Sequence, residues 1–108
     1  MTVFVDNAFI QATVRNNRFR HTSRWCHLMC DGDDAELVAF AERIGLQAHW
    51  IQNPDTDHAH FDVTESRRAA AVKAGAVEIS WRDTPALMDA RRAGTRFTPP
   101  GQLALEDQ

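Results

Sequence analysis

Apolar residues along the chain follow two periods, which divide it into strand-like and helix-like segments. Four short runs are rich in β-branched, aromatic or alternating apolar residues and are predicted strands: Thr2–Asp6, Trp25–Cys30, Gln47–Gln52 and Ala76–Trp81. The segment from Asn16 to Arg24 is polar, rich in arginine and without periodicity. It is therefore predicted to be an exposed loop.

Three segments carry the sequence signals of α-helices. They extend from Asp33 to Gly45, from a start between Asp62 and Thr64 to Gly75, and from Thr84 to Gly94. In the first segment, Glu36 follows Asp33 at the spacing of a capping box. In the third, Thr84 is the predicted cap and Pro85 takes the first helical position. A glycine ends each of the three.

The order of these segments predicts an α/β domain. We expect a mostly parallel sheet of about four strands, with three helices packed on it in two or three layers. Residues 1–96 would form this single domain, and residues 97–108 an extended or disordered tail. In parallel sheets ligands bind beyond the carboxyl ends of the strands, so Asp6, Asp31 and Asp62 become candidate site residues.

Composition narrows the class of protein. The chain has 44% hydrophobic and 25% charged residues, as globular proteins do, and no run approaches the ~20 apolar residues of a membrane span. Two cysteines offer no disulfide framework and the amino-terminal residues do not resemble a signal peptide. We therefore expect a cytoplasmic protein without a membrane partner. Its net charge of −3 is segregated, with +3 in residues 1–30, −8 in 31–66 and +4 in 67–96.

The sequence "HAHFDV" has the spacing of a metal site. If this stretch is extended, His58, His60 and Asp62 lie on one face, where imidazole and carboxylate groups can converge on one ion. The alternative is a solvated strand edge, with Asp62 capping the next helix. His60 and Asp62 are stronger candidates than His58, which lies in a polar loop. Without a further visible ligand, the metal and any other cofactor stay unknown from the sequence.

The residues that follow, "TESRR", suit an anion. Free backbone N–H groups at a helix start, the hydroxyl of Ser66 and the guanidinium groups of Arg67 and Arg68 could together bind a phosphate or a carboxylate. The alternative is that the hydroxyls only cap the helix while the arginines are solvated or paired with acids. On these residues, anion binding is favoured over metal binding.

Further candidates lie on the first two predicted strands. In "CHLMCD", His27 and Asp31 share one face of the strand and could face the same cleft. Asp6 ends the first strand, where it could hold a metal, as single acids do in PIN-like nucleases, or form a turn with Asn7.

Four blocks carry a resemblance to a known family: "VFVDNA", "RWCHLMCD", "HWIQ" and "HFDVTESRRAAAVKAGAVE". In this order they resemble the small bacterial and phage proteins grouped as domain of unknown function 4031, over residues 1–81. The matching motif positions are Asp6, Trp25, His27, Asp31, Trp50, Gln52, His60, Asp62, Ser66, Arg67 and Arg68. Asn7 stands where the family often has a second acid, and Arg67 where lysine is frequent. The resemblance implies no established activity.

The favoured interpretation is a polar pocket that binds a phosphorylated small molecule or a nucleotide. Its catalytic candidates are His60, Asp62 and His27, and its ligand-binding candidates are Asp6, Asp31, Ser66, Arg67 and Arg68. His60 would be the general acid or base, because the pKa of an unperturbed histidine lies near neutrality. Hydrolysis is the first reaction class to test, although the sequence alone does not establish an enzyme.

Two other functions stay open at this stage. The chain could be a nucleic-acid module or a metal-dependent nuclease, with the Arg15–Arg24 segment on the phosphate backbone and Asp6, Asp31 and Asp62 around a metal. It could also be a non-catalytic homodimer, in which the acidic middle of one copy pairs with the basic flanks of the other.

Overall fold

A mixed β-sheet lies at the centre of the fold, in a computed structural model that describes residues 2–16 and 19–100. Within these ranges the sheet has five strands: β1 (Val3–Val5), β2 (Ile10–Asn16), β3 (Phe19–Cys30), β4 (Phe61–Thr64) and β5 (Val77–Glu78). The order across the sheet is β4, β3, β1, β5, and β2 pairs with the amino-terminal part of β3. Among these pairs β1 and β5 are parallel and the other three are antiparallel. The α/β class is confirmed, but the expected mostly parallel sheet is wrong.

The antiparallel pairing of β1 with β3 separates two residues that were expected together. Val3 pairs with Cys30 and Val5 with Leu28, so the end of β1 lies beside the middle of β3. Asp6 therefore neighbours His27, whereas Asp31 neighbours Thr2 at the opposite end of β1. The expectation that all candidate acids gather at one edge of the sheet depended on parallel strands, and it is wrong for Asp31.

The segment predicted to be an exposed loop belongs to a β-hairpin instead. β2 and β3 pair continuously from Ile10 with Trp25 to Asn16 with Phe19, so the prediction of a loop over Asn16–Arg24 is wrong for the described residues 19–24. β1 and β2 pair with the same edge of β3, but the chain takes five residues from Val5 to Ile10 where β3 takes three. Two extra residues are thus inserted between β1 and β2, where Phe9 has a positive φ of 47°.

The stretch Gln47–Gln52, predicted to be a strand, forms a short 3₁₀ helix (Ala48–Trp50). One isolated bridge joins Gln52 to His60, with backbone hydrogen bonds of 2.7 and 3.1 Å. Because this segment turns the chain instead of crossing the sheet, β4 enters antiparallel to β3.

The three predicted helices are present: α1 (Asp34–Arg43), α2 (Glu65–Lys73) and α3 (Thr84–Ala93). The side chain of Asp33 accepts from the Glu36 backbone N–H at 3.0 Å, as its capping role requires. Thr84 is not the cap of α3, because Asp83 takes that position while the Thr84 hydroxyl donates to the carbonyl of Trp81. The last strand is shorter than predicted, since Trp81 lies in a second 3₁₀ helix (Trp81–Asp83). None of the described helices is long and apolar enough to cross a membrane.

The helices form layers on both faces of the sheet. α1 and α2 bury one face with a cluster that includes Leu37 and Ala71 packed against Leu28 of β3. α3 packs Leu87 onto the opposite face, against a smaller cluster around Phe4 and Met29. This helix covers only one half of its face. The other half lies on the amino-terminal side of Met29 along β3. It is open, and it carries the candidate site.

Residue Phe97 lies at the edge of the cluster under α3. Its ring packs on Phe4 with the ring centroids 5.5 Å apart, and its backbone N–H donates to Asp31 at 2.8 Å. Residues 101–108 lie outside the described part of the chain. The predicted division into a domain over 1–96 and a tail over 97–108 stays a prediction.

Candidate metal centre

The open half of the sheet presents polar side chains because successive residues of β3 and β4 lie on opposite faces, and paired residues lie on the same face. His27 pairs with Asp62, and both side chains lie on the face of the sheet opposite to the core under α1 and α2. The neighbouring Cys26 and its partner Val63 are fully buried on the other face. The same alternation that builds the core therefore brings one histidine and one carboxylate side by side on the outside.

His27 is oriented by a buried carboxylate. Its Nδ1 lies 2.7 Å from Asp6 Oδ2, while Asp6 Oδ1 accepts the backbone N–H groups of His27 at 2.9 Å and Ala8 at 3.2 Å. Burial by itself would raise the pKa of Asp6, but the hydrogen bonds and the charge of His27 outweigh it and lower that pKa below its usual value. Asp6 is therefore an ionised acceptor at neutral pH, and the His27 proton is held on Nδ1.

His60 is oriented in the same manner by a backbone carbonyl. Its Nδ1 donates to the carbonyl oxygen of His58 at 2.7 Å, and its Nε2 lies 3.4 Å from Asp62 Oδ1. Burial acts to lower the pKa of His60, but the hydrogen bonds to Asp62 and His58 and the nearby carboxylate charges raise it overall. The hydrogen bond with His60 lowers the pKa of Asp62 despite the opposing effect of burial. The carboxylate thus attracts a cation at this point.

Three ligand atoms converge on one point. His27 Nε2 lies 4.0 Å from Asp62 Oδ1, and one ligand atom each from His27, His60 and Asp62 lies within 4.8 Å of the others. Ligand atoms bound tetrahedrally to zinc are separated by about 3.3–3.4 Å, given bonds of about 2.0–2.1 Å. The His60–Asp62 distance of 3.4 Å matches this separation, and the 4.0 Å between His27 Nε2 and Asp62 Oδ1 exceeds it. Sequence spacing pointed to His60 and Asp62, and the structure places His27 beside them.

Three of the predicted anion-binding residues have structural contacts. Arg67 donates to the carbonyl oxygen of Ile44 at the end of α1 at 2.6 Å, while Arg68 donates to the backbone carbonyl of Asp6 at 2.8 Å and to Glu78 at 3.1 Å. Ser66 lies 3.2 Å, oxygen to oxygen, from the hydroxyl of Thr64, which also accepts from the Arg67 backbone N–H. Arg68 thus fixes the backbone from which Asp6 reaches His27.

The group formed by His27, His60, Asp62 and the supporting Asp6 is called the cluster below. Two other predicted residues do not belong to it. Asp31 is buried at the far end of β1, where its carboxylate accepts the backbone N–H groups of Thr2 and Phe97, both at 2.8 Å. The His58 side chain is exposed and lies 3.4 Å from Asp57, so only its backbone carbonyl takes part. The structure brings together Asp6, His27, His60 and Asp62 and leaves Asp31 apart, while His58 lines the small pocket beside both histidines without a ligand atom in the group.

Two grooves border the cluster, and each contains tryptophan. Asp62 lines a groove of about 570 Å³ together with Trp50 and Trp25. His27 lines a second groove of about 320 Å³ together with Trp81. Both histidines also line a pocket of about 130 Å³. The cluster is therefore open on more than one side.

Sequence reasoning missed two groups that shape this region. Asn7 Oδ1 accepts the backbone N–H of Trp81 at 2.8 Å and so attaches the start of the second 3₁₀ helix to the end of β1. The His58 carbonyl was missed because backbone acceptors leave no trace in residue types. Asn7 did have a signal, since it follows Asp6 directly at the end of a strand.

The fold and the cluster define an α/β protein with a two-histidine, one-carboxylate centre on the open half of its sheet. Residues 3–91 match a family described as "Protein of unknown function (DUF4031)", and the chain belongs to this family. The match confirms the resemblance over residues 1–81 and continues to residue 91. Comparison with curated proteins and with solved structures found no match.

Proposed function

We propose that His27, His60 and Asp62 bind a divalent transition metal and that the centre hydrolyses a phosphate-containing substrate. The observation that carries this proposal is the paired orientation of the two imidazole rings. A carboxylate and a backbone carbonyl only accept hydrogen bonds, so both rings hold their proton on Nδ1. Each ring therefore directs Nε2 toward Asp62, and a metal would bind there in place of any Nε2 proton, which is the arrangement of metal-ligating histidines.

Three protein ligands would leave coordination positions for water and substrate, as catalytic zinc sites do. A metal in this place would supply a water of lowered pKa and a positive charge for the phosphoryl oxygens. The chain's own residues would hold it: Asp6 fixes the orientation of the His27 ring, and Asp62 supplies the negative charge. The metal, and not Arg67 or Arg68, would then provide the main contact with the phosphate, because both guanidinium groups already donate to backbone carbonyls.

Metal uptake by the full chain is the first experiment. Chelator-treated protein is titrated with Zn²⁺, Mn²⁺, Fe²⁺ and Co²⁺, with stoichiometry measured by mass spectrometry of the metal and geometry by the visible spectrum of Co²⁺. We expect one ion per chain, lost in His27→Ala, His60→Ala and Asp62→Asn. His49→Ala is the matched control, because His49 lies on the 3₁₀ helix outside the cluster and its substitution leaves all three ligands in place.

The reaction is tested separately from the metal. The metal-loaded chain is incubated with bis(p-nitrophenyl) phosphate and with a panel of phosphomonoesters, and release of product is compared between wild type and His60→Ala. If all three ligand variants still take up metal like the wild type, the site is wrong. If metal binds but no phosphate ester is cleaved, the site stands and the reaction is wrong. Selective uptake of Fe²⁺ would then indicate oxygen chemistry, which two histidines and one carboxylate also support.

Two expectations from the sequence stay predictions at this point. Homodimer formation is measured by light scattering of the purified chain. Cytoplasmic localisation is measured by cell fractionation.

A further inference from the structure

We propose that the substrate of this centre is a single-stranded nucleic acid, whose bases stack on Trp50 and Trp81 on either side of the phosphodiester bond that is cleaved. The inference rests on the proposed hydrolytic function and names its substrate class. All three tryptophans of the chain line the two grooves that border the cluster, which is an unusual use of its largest apolar side chains.

The first groove combines aromatic surface with a cation. Trp50 is 45% exposed and lies with Trp25 along a groove that reaches the metal ligand Asp62. Its volume of about 570 Å³ lies within the range of sites that enclose small organic ligands. Arg67 and Gln52 line the same groove, so a guanidinium and an amide lie beside the aromatic rings. A nucleobase stacked on an indole, with its phosphate directed to the centre, has the matching chemistry.

The second groove also combines an indole ring with a nearby guanidinium group, and it reaches the proposed ligand His27. Trp81 is 51% exposed and lines a groove of about 320 Å³ with His27. Asn7 holds the backbone of Trp81, and the guanidinium of Arg82 lies 5.3 Å from the centre of the indole ring. The aromatic surface is therefore held in place and accompanied by positive charge.

Two aromatic grooves, one lined by Asp62 and the other by His27, indicate a substrate that extends from the centre along both of them. A mononucleotide places one base beside its phosphate, whereas a strand places a base on each side of every phosphodiester. Stacking on an indole requires an unpaired base, so the geometry favours single strands over duplexes.

The charge of the chain agrees with this assignment locally. The net charge is −3, but four of the acids, Asp33, Asp34, Asp55 and Asp57, line a different depression. There Arg91 pairs with Asp34 and Arg92 pairs with Asp57. Arg67 in the first groove and Arg82 beside Trp81 add positive charge near the phosphates that flank the cleaved bond, while Arg67 keeps its hydrogen bond to Ile44.

The reaction consumes one water for each bond cleaved. The oxygen of a hydroxide, formed by loss of a proton from water to solvent, attacks phosphorus, and the bond from phosphorus to the leaving sugar oxygen breaks. The leaving oxygen takes a proton from solvent. The products are one phosphomonoester end and one hydroxyl end, and no oxidant or reductant is needed.

Intrinsic fluorescence gives a direct test, because the chain has three tryptophans and no tyrosine. Chelator-treated protein, in which nothing is cleaved, is titrated with a single-stranded DNA or RNA octamer, with an abasic octamer of equal charge and with the matching duplex. We expect quenching and binding by the intact single strand, and much weaker binding by the abasic strand and the duplex. Trp50→Ala and Trp81→Ala should each weaken binding about tenfold, the size of one base–aromatic stack.

The conservative variants Trp50→Phe and Trp81→Phe should retain most of the affinity, because phenylalanine also stacks. Arg92→Ala removes an exposed cation that lines the separate acidic depression and pairs with Asp57, so it should change binding by less than twofold. If the abasic strand binds as tightly as the intact one, or if both alanine variants bind like the wild type, the proposal is overturned.

The substrate class and the proposed function fail in different ways. Metal uptake and cleavage of bis(p-nitrophenyl) phosphate without any binding of the octamer would overturn the substrate class and leave the hydrolase intact. Base-dependent binding of the octamer by a chain that takes up no metal would overturn the hydrolase, and with it the assignment of the strand as a substrate. Cleavage of the octamer by the metal-loaded chain, reduced by Trp81→Ala and abolished by His60→Ala, would support both.

Discussion

One face of the sheet has a buried half and an open half, and only two residues along each strand separate them. Phe4 of β1 and Met29 of β3 are buried under α3, where they pack against Leu87. Two residues further on, the same face carries Asp6 and His27, which hydrogen-bond each other and face open grooves. The same strands, β1 and β3, form both halves, and the difference is that α3 packs on only one of them.

This difference separates stability from chemistry within a single layer. Where α3 covers the sheet, apolar contacts exclude water and contribute to the free energy of folding. Where α3 does not reach, the backbone pairing of β1, β3 and β4 still fixes the positions of the side chains. The paired strands thus hold the cluster beside the start of α3, whose Thr84 and Met88 line the small pocket next to both histidines, while the two grooves stay open.

The largest expected effect breaks the covered half. Leu87 is fully buried, so Leu87→Ala should lower the free energy of unfolding by about 2–5 kcal/mol, through lost burial and the cavity left behind. Urea denaturation measures this change. The fraction that stays folded should still take up one metal ion, and a parallel loss of metal stoichiometry in folded protein would show that the two halves are not independent.

The second prediction changes the acid that lies away from the cluster. Asp31→Asn replaces one of two carboxylate oxygens, which accept from Thr2 and Phe97, by an amide that cannot accept. We expect a loss of about 1–3 kcal/mol in the free energy of unfolding, since a backbone donor is left without its partner. Metal affinity should be unchanged. A weaker metal site in this variant would contradict the separation of Asp31 from the centre.

The third prediction changes the matching acid on the open half. In Asp6→Asn the amide oxygen must stay with the backbone N–H groups of His27 and Ala8, so the amide nitrogen faces His27 Nδ1. The ring then moves its proton to Nε2, the proposed ligand atom. Metal affinity should fall about 10- to 100-fold, as when the partner of a metal-ligating histidine is lost. Competition with a chromophoric chelator measures it, and unchanged affinity would exclude this role of Asp6.

The smallest expected effect concerns the rim of the open half. Trp81 is half exposed, so Trp81→Ala should change the free energy of unfolding by less than about 0.5 kcal/mol, although tryptophan is the largest side chain. The contrast with Leu87→Ala, measured in the same urea experiment, tests the comparison directly. A cost similar to that of Leu87→Ala would place Trp81 in the core and remove it from the groove.

Local signals in the sequence were sufficient for the helices and for part of the site. Caps and stops such as Asp33 and Gly94 act within a few residues, so the limits of α1 and α3 follow from them. The spacing of His60 and Asp62 within one extended stretch likewise placed both on one side. Asp6 and His27 were candidates because each lies on an apolar run that predicted a strand.

Non-local pairing explains what the sequence did not reveal. The direction of β4 depends on how residues 44–60 turn, and the residue types there resembled those of a strand. The polar residues of β2 form a strand only because β3 pairs with them over their whole length. Asp31 was grouped with Asp6 because both follow apolar runs, and only the antiparallel register shows that they lie at opposite ends.

Two extra residues lie between β1 and β2, in the segment Asn7–Phe9. We expect this segment to tolerate the insertion or deletion of two residues but not of one. Because an even number is inserted, Ile10 lies on the same face as Asp6, and the hairpin continues the alternation of the sheet. Loss or gain of one residue here would turn the side chains at the start of β2, from Ile10 to Thr13, to the opposite face, whereas removal of two would let β1 run straight into β2. Length variation among relatives at this point should therefore occur in steps of two.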